Sequence, residues 1–248
     1  FAYAAKDKVE IEVENLVSKP YIDLTLEVLS MFGKKTTQKD YRLFCIDPSM
    51  NTDVGDVSIH IESDWSSAAF WIASATINGS VSLLGLQKNS LQADKKMLEI
   101  VEQIGAKINW DEHVLQVSAS KRNAFVADLK DAPDLFPILA VLAAYCNGTS
   151  RLNGVHRLIH KESNRKESIV ALLTQLQVHF NLEEDALVIE GKQTFPFITY
   201  HCPNDHRMAM AAALVSMRSV AGIEIVNAEC IHKSYPDFWL ELHKQACV

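Results

Sequence analysis

The densest chemistry in the sequence is the hexapeptide His160-Lys161-Glu162-Ser163-Asn164-Arg165, where five of six side chains are ionisable or hydroxyl-bearing. It reads as a turn between an apolar strand and an amphipathic helix, whose first N–H groups are unsatisfied and attract anions. Two later turns share its character, Asn204-Asp205-His206-Arg207 and His232-Lys233-Ser234-Tyr235. Together they are expected to set Lys161, Arg165, Arg207 and Lys233 around one anion. The arginines suit planar, bidentate recognition of a carboxylate or phosphate, and the lysines suit point-charge contacts. Glu162, flanked by cations, would stay ionised and could accept a proton; the same run on a solvated face would carry no chemistry.

Three aspartates, Asp64, Asp134 and Asp205, stand where helix N-caps belong, and capping alone would account for each. Pro137 stiffens the helix start after Asp134, so this carboxylate can be both cap and aimed proton acceptor. His206 could switch protonation near neutrality, although a histidine at a helix start is commonly structural. Ser18 and Tyr21, in Ser18-Lys19-Pro20-Tyr21, could hydrogen-bond a second anion or ring, or form a plain turn.

These residues recur because the elements that carry them recur. A small-residue-rich apolar helix follows each aspartate, over residues 65–77, 135–146 and 206–218, and Gly79, Gly148 and Gly222 are the expected stops. A short strand comes next, at 80–84, 149–152 and 223–226, and then a turn with Lys88, Lys161 or Lys233 and a serine close behind. The lysines are 73 and 72 residues apart. An amphipathic helix such as 97–104, stopped by Gly105, and a hairpin such as 107–110 with 114–117 complete a βαβαββ unit. The first 62 residues read as the tail of another copy: a strand at 9–13, a helix at 22–31 and strands near 41–45. A boundary is expected near residues 60–64, after a strand at Ile59-His60-Ile61-Glu62. The fold class is therefore α/β (α+β), with residues 1–62 an incomplete unit and 63–248 three units.

Composition narrows the function. With 48% hydrophobic residues, 22% charged residues and a net charge of −7, the chain can bury a sizeable core but lacks the basic stripe of a nucleic-acid binder. No window approaches the roughly 18 apolar residues of a membrane span, and residues 1–5 are too short for a signal core. Cys45, Cys146, Cys202, Cys230 and Cys247 show no metal-ligand spacing, and their odd number argues against a disulfide framework, which points to a reducing compartment, the cytoplasm. No metal and no cofactor are expected. The chain opens on Phe1, which is read as processing, a cloned fragment or a missing start.

Six stretches carry a resemblance: LVSKPYIDLTLEVL (Leu16–Leu29), DWSSAAFWIASATI (Asp64–Ile77), DAPDLFPILAVLAAY (Asp131–Tyr145), GVHRLIHKESNR (Gly154–Arg165), NDHRMAMAAAL (Asn204–Leu214) and KSYPDFW (Lys233–Trp239). In this order they resemble the 5-enolpyruvylshikimate-3-phosphate synthases. The resemblance implies an inside-out α/β barrel: two lobes of three βαβαββ units about a pseudo-threefold axis, with helix N-termini facing the cleft. It implies transfer of the enolpyruvyl group of phosphoenolpyruvate to the 5-hydroxyl of shikimate 3-phosphate through a tetrahedral intermediate. Residue by residue, Asp134 resembles the carboxylate on the shikimate hydroxyls and Glu162 the group handling the methylene proton. Arg165, Arg207 and Lys233 resemble contacts to phosphoenolpyruvate, and Ser18, Tyr21 and Lys161 contacts to shikimate 3-phosphate. His206 and Asp64 are further candidates.

Asn164 departs from the family's usual aspartate. The family's Lys-Ser-Arg, Asn-Ala-Gly-Thr and Ser-Ser-Gln segments do not occur in these residues, so the chain alone is expected to turn over little or not at all. The complete enzyme is expected to be a monomer, while the apolar faces of Ile22, Leu26 and Leu29 allow this chain to self-associate. Two other readings compete: the transferase that adds enolpyruvyl to UDP-N-acetylglucosamine, and a non-catalytic anion-binding repeat module.

Overall fold

A computed structural model describes all residues except Phe1, Ser120, His160, Cys247 and Val248, and the side chains of Gln245 and Ala246. The readings that involve Phe1, His160 and Cys247 therefore lie outside the described residues. The chain divides into two compact units, residues 1–62 with 87–93, and residues 63–86 with 94–248.

The first unit holds β1 (Val9–Glu12), α1 (Lys19–Met31), β2 (Thr36–Lys39) and β3 (Leu43–Ile46). Its strands are ordered β1-β3-β2, all antiparallel, with Ile11 opposite Phe44. Ser18 precedes α1 in the left-handed conformation, and Pro20 lies in the helix's first turn. Only a thin core is built here, around Phe44 and Ile46, and no residue of α1 is buried.

The second unit runs α2 (Trp65–Ile77), β4 (Ser80–Leu84), α3 (Met97–Ile104), β5 (Lys107–Asp111), β6 (Val114–Ser118), β7 (Val126–Asp128), α4 (Phe136–Ala144), β8 (Thr149–Asn153), α5 (Arg165–Gln175), β9 (Phe180–Leu182), β10 (Ala186–Glu190), β11 (Ile198–His201), α6 (His206–Leu214), β12 (Ile223–Val226) and α7 (Phe238–Ala246). Its sheets are β4-β6-β5, β7-β8-β10-β9 and β11-β12. The expected repeat is visible as a strand, a helix and a hairpin whose second arm pairs with the first strand. It occurs as β1-α1-β2-β3, β4-α3-β5-β6 and β8-α5-β9-β10. Helices α4 and α6 each connect parallel strands, β7 to β8 and β11 to β12. The middle copy, β7 to β10, is thus a complete βαβαββ unit.

Two expectations need correction here. Residues 59–62 form no strand, so the copy containing α2 opens directly on its helix. Their apolar-polar alternation is a strand pattern, but alternation alone supplies no pairing partner. The last copy comprises β11, α6, β12 and α7, and no closing hairpin follows among the described residues.

The core helices explain the architecture. All nine residues of α4 are buried, as are ten of thirteen in α2 and eight of nine in α6. A helix that is apolar all round must be covered all round, and α2, α4 and α6 satisfy this by packing against one another. Their many alanines let the backbones approach closely. Gly191 serves the same close packing, because a Cβ there would stand 1.7 Å from the Cys146 carbonyl oxygen.

Candidate functional site

The N-terminal ends of the three core helices converge, and a chain of charges joins them. Arg165, at the first position of α5, is wholly buried. Its Nε donates to Asp205 Oδ2 at 2.8 Å, its Nη1 to Asp134 Oδ1 at 2.6 Å, and its Nη2 to Glu162 Oε2 at 2.7 Å. Arg207 Nη2 lies 3.2 Å from Asp134 Oδ2, and its Nη1 lies 3.8 Å from Asp94 Oδ2. Asp94 Oδ2 accepts from the Ser66 hydroxyl, at the start of α2, at 2.5 Å. Lys161 Nζ is 3.2 Å from Asp134, and Lys233 Nζ is 3.4 Å from Glu162.

The four expected cations do come together, but they are interleaved with Asp94, Asp134, Glu162 and Asp205. The formal charges cancel, four against four. Positive potential for an incoming anion must therefore come from the helix N-termini and from cations that exchange partners. Arg165 differs most from expectation, because three carboxylates already occupy its fork. Lys233, with a side chain 60% exposed, is the most open cation.

Each charged turn is fixed by local structure. Asp205 is the N-cap of α6, accepting from the Arg207 N–H at 3.0 Å while receiving Arg165 and the Ser163 hydroxyl. Asn164 caps α5 through the Glu167 N–H, so asparagine at this position keeps the cap. The Lys233 turn is held by Tyr235, whose hydroxyl accepts from Trp71 Nε1 at 3.0 Å and donates to Glu241. Asp64 caps α2 as expected, accepting from the N–H groups of Ser66 and Ser67, each at 3.0 Å.

Asp134 does not cap. It lies inside a 3₁₀ turn at Pro133–Leu135 that precedes α4, and neither that turn nor α4 receives a side-chain cap. The extra turn swings the carboxylate away from its own helix and towards Lys161, Arg165 and Arg207.

The electrostatics follow from this packing. Burial alone would raise the Asp134 pKa, but Arg207, Arg165 and Lys161 outweigh it and hold the carboxyl at about 2. Glu162 is held below its ordinary value despite burial, by a hydrogen bond to its own backbone and by Arg165 and Lys233. Asp94 goes the other way, because burial lifts it to about 6 against the pull of Arg207 and Ser66. His206 is depressed by burial and by Arg207, and its Nδ1 is buried without a hydrogen-bond partner. The site thus pairs ionised carboxylates with one acid poised near neutrality. Such an arrangement can bind an anion by partner exchange and move protons beside it.

Ser18 and Tyr21 lie in the first unit, at the start of α1, where the Tyr21 N–H donates to the Ser18 carbonyl at 3.1 Å. Sequence reasoning missed Asp94. In Ala93-Asp94-Lys95-Lys96 it looks like an exposed acid beside lysines, and only the fold reveals that it is buried.

The profile of the EPSP synthase (3-phosphoshikimate 1-carboxyvinyltransferase) family matches residues 1–242. The chain belongs to the EPSP synthase family. The 3-phosphoshikimate 1-carboxyvinyltransferase of Clostridium kluyveri is 36% identical, over 94% of this chain and 54% of its own length. That of Brachyspira hyodysenteriae is 35% identical, over 90% of this chain and 53% of its own. The chain thus spans about half the length of these relatives. Among solved structures, the EPSP synthase of Acinetobacter baumannii superposes with a TM-score of 0.80 at 23% identity, covering 99% of this chain and 58% of that one. The enolpyruvyl transferase NikO of Streptomyces tendae gives 0.70 at 14%, covering 98% and 56%. Both likenesses show the enolpyruvyl-transferase α/β fold. Among the described residues, no helix is long and apolar enough to cross a membrane.

Proposed function

We propose that these residues form part of a site that transfers the enolpyruvyl group of phosphoenolpyruvate to the 5-hydroxyl of shikimate 3-phosphate with release of phosphate, as cytoplasmic biosynthesis. The observation that carries this reading is the convergence of Asp134 and Glu162 with four cations at helix N-termini, within a member of the EPSP synthase family. A passive anion module would need the cations but has no use for two acids set among them.

The chemistry needs a base for the attacking hydroxyl, a group that gives and then removes a proton at the methylene carbon, and cations for the leaving phosphate. Asp134 faces the hydroxyl, Glu162 handles the methylene proton, and Arg207 and Lys233 hold the phosphate. Phosphoenolpyruvate's own carboxylate reaches Arg165 by displacing Glu162. That exchange strips Glu162 of a cation and raises its proton affinity at the step where it must carry a proton. Lys161 is the residue of this cluster proposed to contact shikimate 3-phosphate.

Substitution tests the assignment. In the full-length protein, Glu162→Gln is expected to slow phosphate release by about 10²-fold or more, with phosphoenolpyruvate binding retained. Turnover near wild type in a coupled phosphate-release assay would remove Glu162 from the mechanism. A polypeptide of these 248 residues alone is expected to release little phosphate.

A further inference from the structure

The loop after β11 and the 3₁₀ helix Ala228–Lys233 after β12 carry a pair of cysteines that the proposed reaction does not use. Cys202 Sγ lies 3.8 Å from Cys230 Sγ, and both are free thiols. The two segments are tied through their backbones. The Cys202 N–H donates to the Val226 carbonyl at 3.0 Å, and Asn227 Nδ2 donates to the Cys202 carbonyl at 3.3 Å. A disulfide requires about 2.05 Å between sulfurs, so the pair must close by about 1.8 Å. Side-chain rotation with a small loop adjustment covers that distance.

The geometry points to a reversible disulfide site at Cys202 and Cys230, oxidised by a low-molecular-weight disulfide. Cys230 is the partly exposed partner, whereas Cys202 is 2% exposed. The Cys230 thiolate attacks the oxidant's S–S bond, forms a mixed disulfide and releases one thiol. Cys202 then gives up its proton and attacks Cys230 Sγ, which expels the second. Two electrons leave the protein dithiol, and one small disulfide becomes two thiols. Burial holds both cysteines above the ordinary thiol range, so exchange is slow at neutrality.

The consequence reaches the candidate site. The Cys202 thiol also contacts the Asp205 carbonyl oxygen at 3.6 Å, and Lys233 follows Cys230 by three residues. Closing the bond draws the turn bearing Asp205 and Arg207 towards the turn bearing Lys233, and so displaces the anchor of Arg165. Only this consequence rests on the proposed function.

The test is to incubate the whole chain with glutathione disulfide at about pH 8.5, near the ordinary thiol pKa, and to map its peptides without reduction. The expected product is one linked pair containing Cys202 and Cys230, lighter by two hydrogens and opened by dithiothreitol. Cys202→Ser is expected to stop at the glutathione adduct on Cys230. A wild-type chain that keeps Cys202 as a free thiol while Cys230 carries glutathione, or that leaves both unreacted, overturns the proposal. The mapping reads the cross-link whether or not the reduced protein binds phosphoenolpyruvate, so the two readings fail separately.

Discussion

Asp94 shows how a single residue sets conditions for its neighbours. Its carboxyl is buried, one oxygen has no partner, and burial lifts its pKa to about 6. A folded pKa above the unfolded value means that its contribution to stability is fully present below about pH 4 and is lost as pH rises through 6. Asp94→Asn removes that loss while keeping an acceptor for Ser66. The variant is expected to match wild type in stability near pH 4 and to exceed it by about 2–3 kcal/mol near pH 8, as read by urea denaturation at both. Equal effects at the two pH values would refute the account. Asp134 behaves oppositely, because a folded pKa depressed to about 2 gives stability present above the unfolded value and lost only as pH falls towards 2. The Asp134 cluster could be read from the sequence because its members stand in dense turns. Asp94 could not, because nothing in its local sequence tells a buried acid from a surface one.

At the scale of elements, the repeat was legible because its punctuation is chemical. Gly105 ends α3 in the left-handed conformation, and Asp64 begins α2 with two backbone hydrogen bonds. Removing that cap in Asp64→Ala is expected to cost about 1 kcal/mol, seen as a lower denaturation midpoint with an unchanged slope. A slope change would mean that Asp64 does more than cap. The start of α4 was misread for a physical reason: an aspartate just before an apolar helix reads as its N-cap, whereas here Asp134 is the middle residue of a 3₁₀ turn over Pro133–Leu135. Residues 59–62 were misread because alternation records which side chains could share a face, and not whether a neighbouring strand exists. The hairpins were predictable because each strand's partner is local, whereas the parallel pairing of β11 with β12 depends on α6 between them.

At the scale of the whole molecule, the proposed anionic substrates meet a chain of net charge −7, so their binding is expected to rest on local field and geometry rather than net charge. Phosphoenolpyruvate with shikimate 3-phosphate is expected to stabilise the full-length protein by about 2.7 kcal/mol at 100 times the dissociation constant. Equimolar sulfate should give far less; an equal thermal shift from sulfate would favour the passive anion module. The guanidinium of Arg165 joins partners 31 and 40 residues away in sequence, Asp134 and Asp205, and can be satisfied only when the turns of two successive repeats have already docked. Such a junction is expected to close after the folding barrier has been crossed, and so to govern lifetime more than formation. Arg165→Ala, which leaves the buried Asp205 carboxylate without its cation at about 3–5 kcal/mol, should therefore accelerate unfolding by about a hundredfold or more in stopped-flow experiments. The refolding rate should barely change, and a comparable slowing of refolding would mean that the junction forms early.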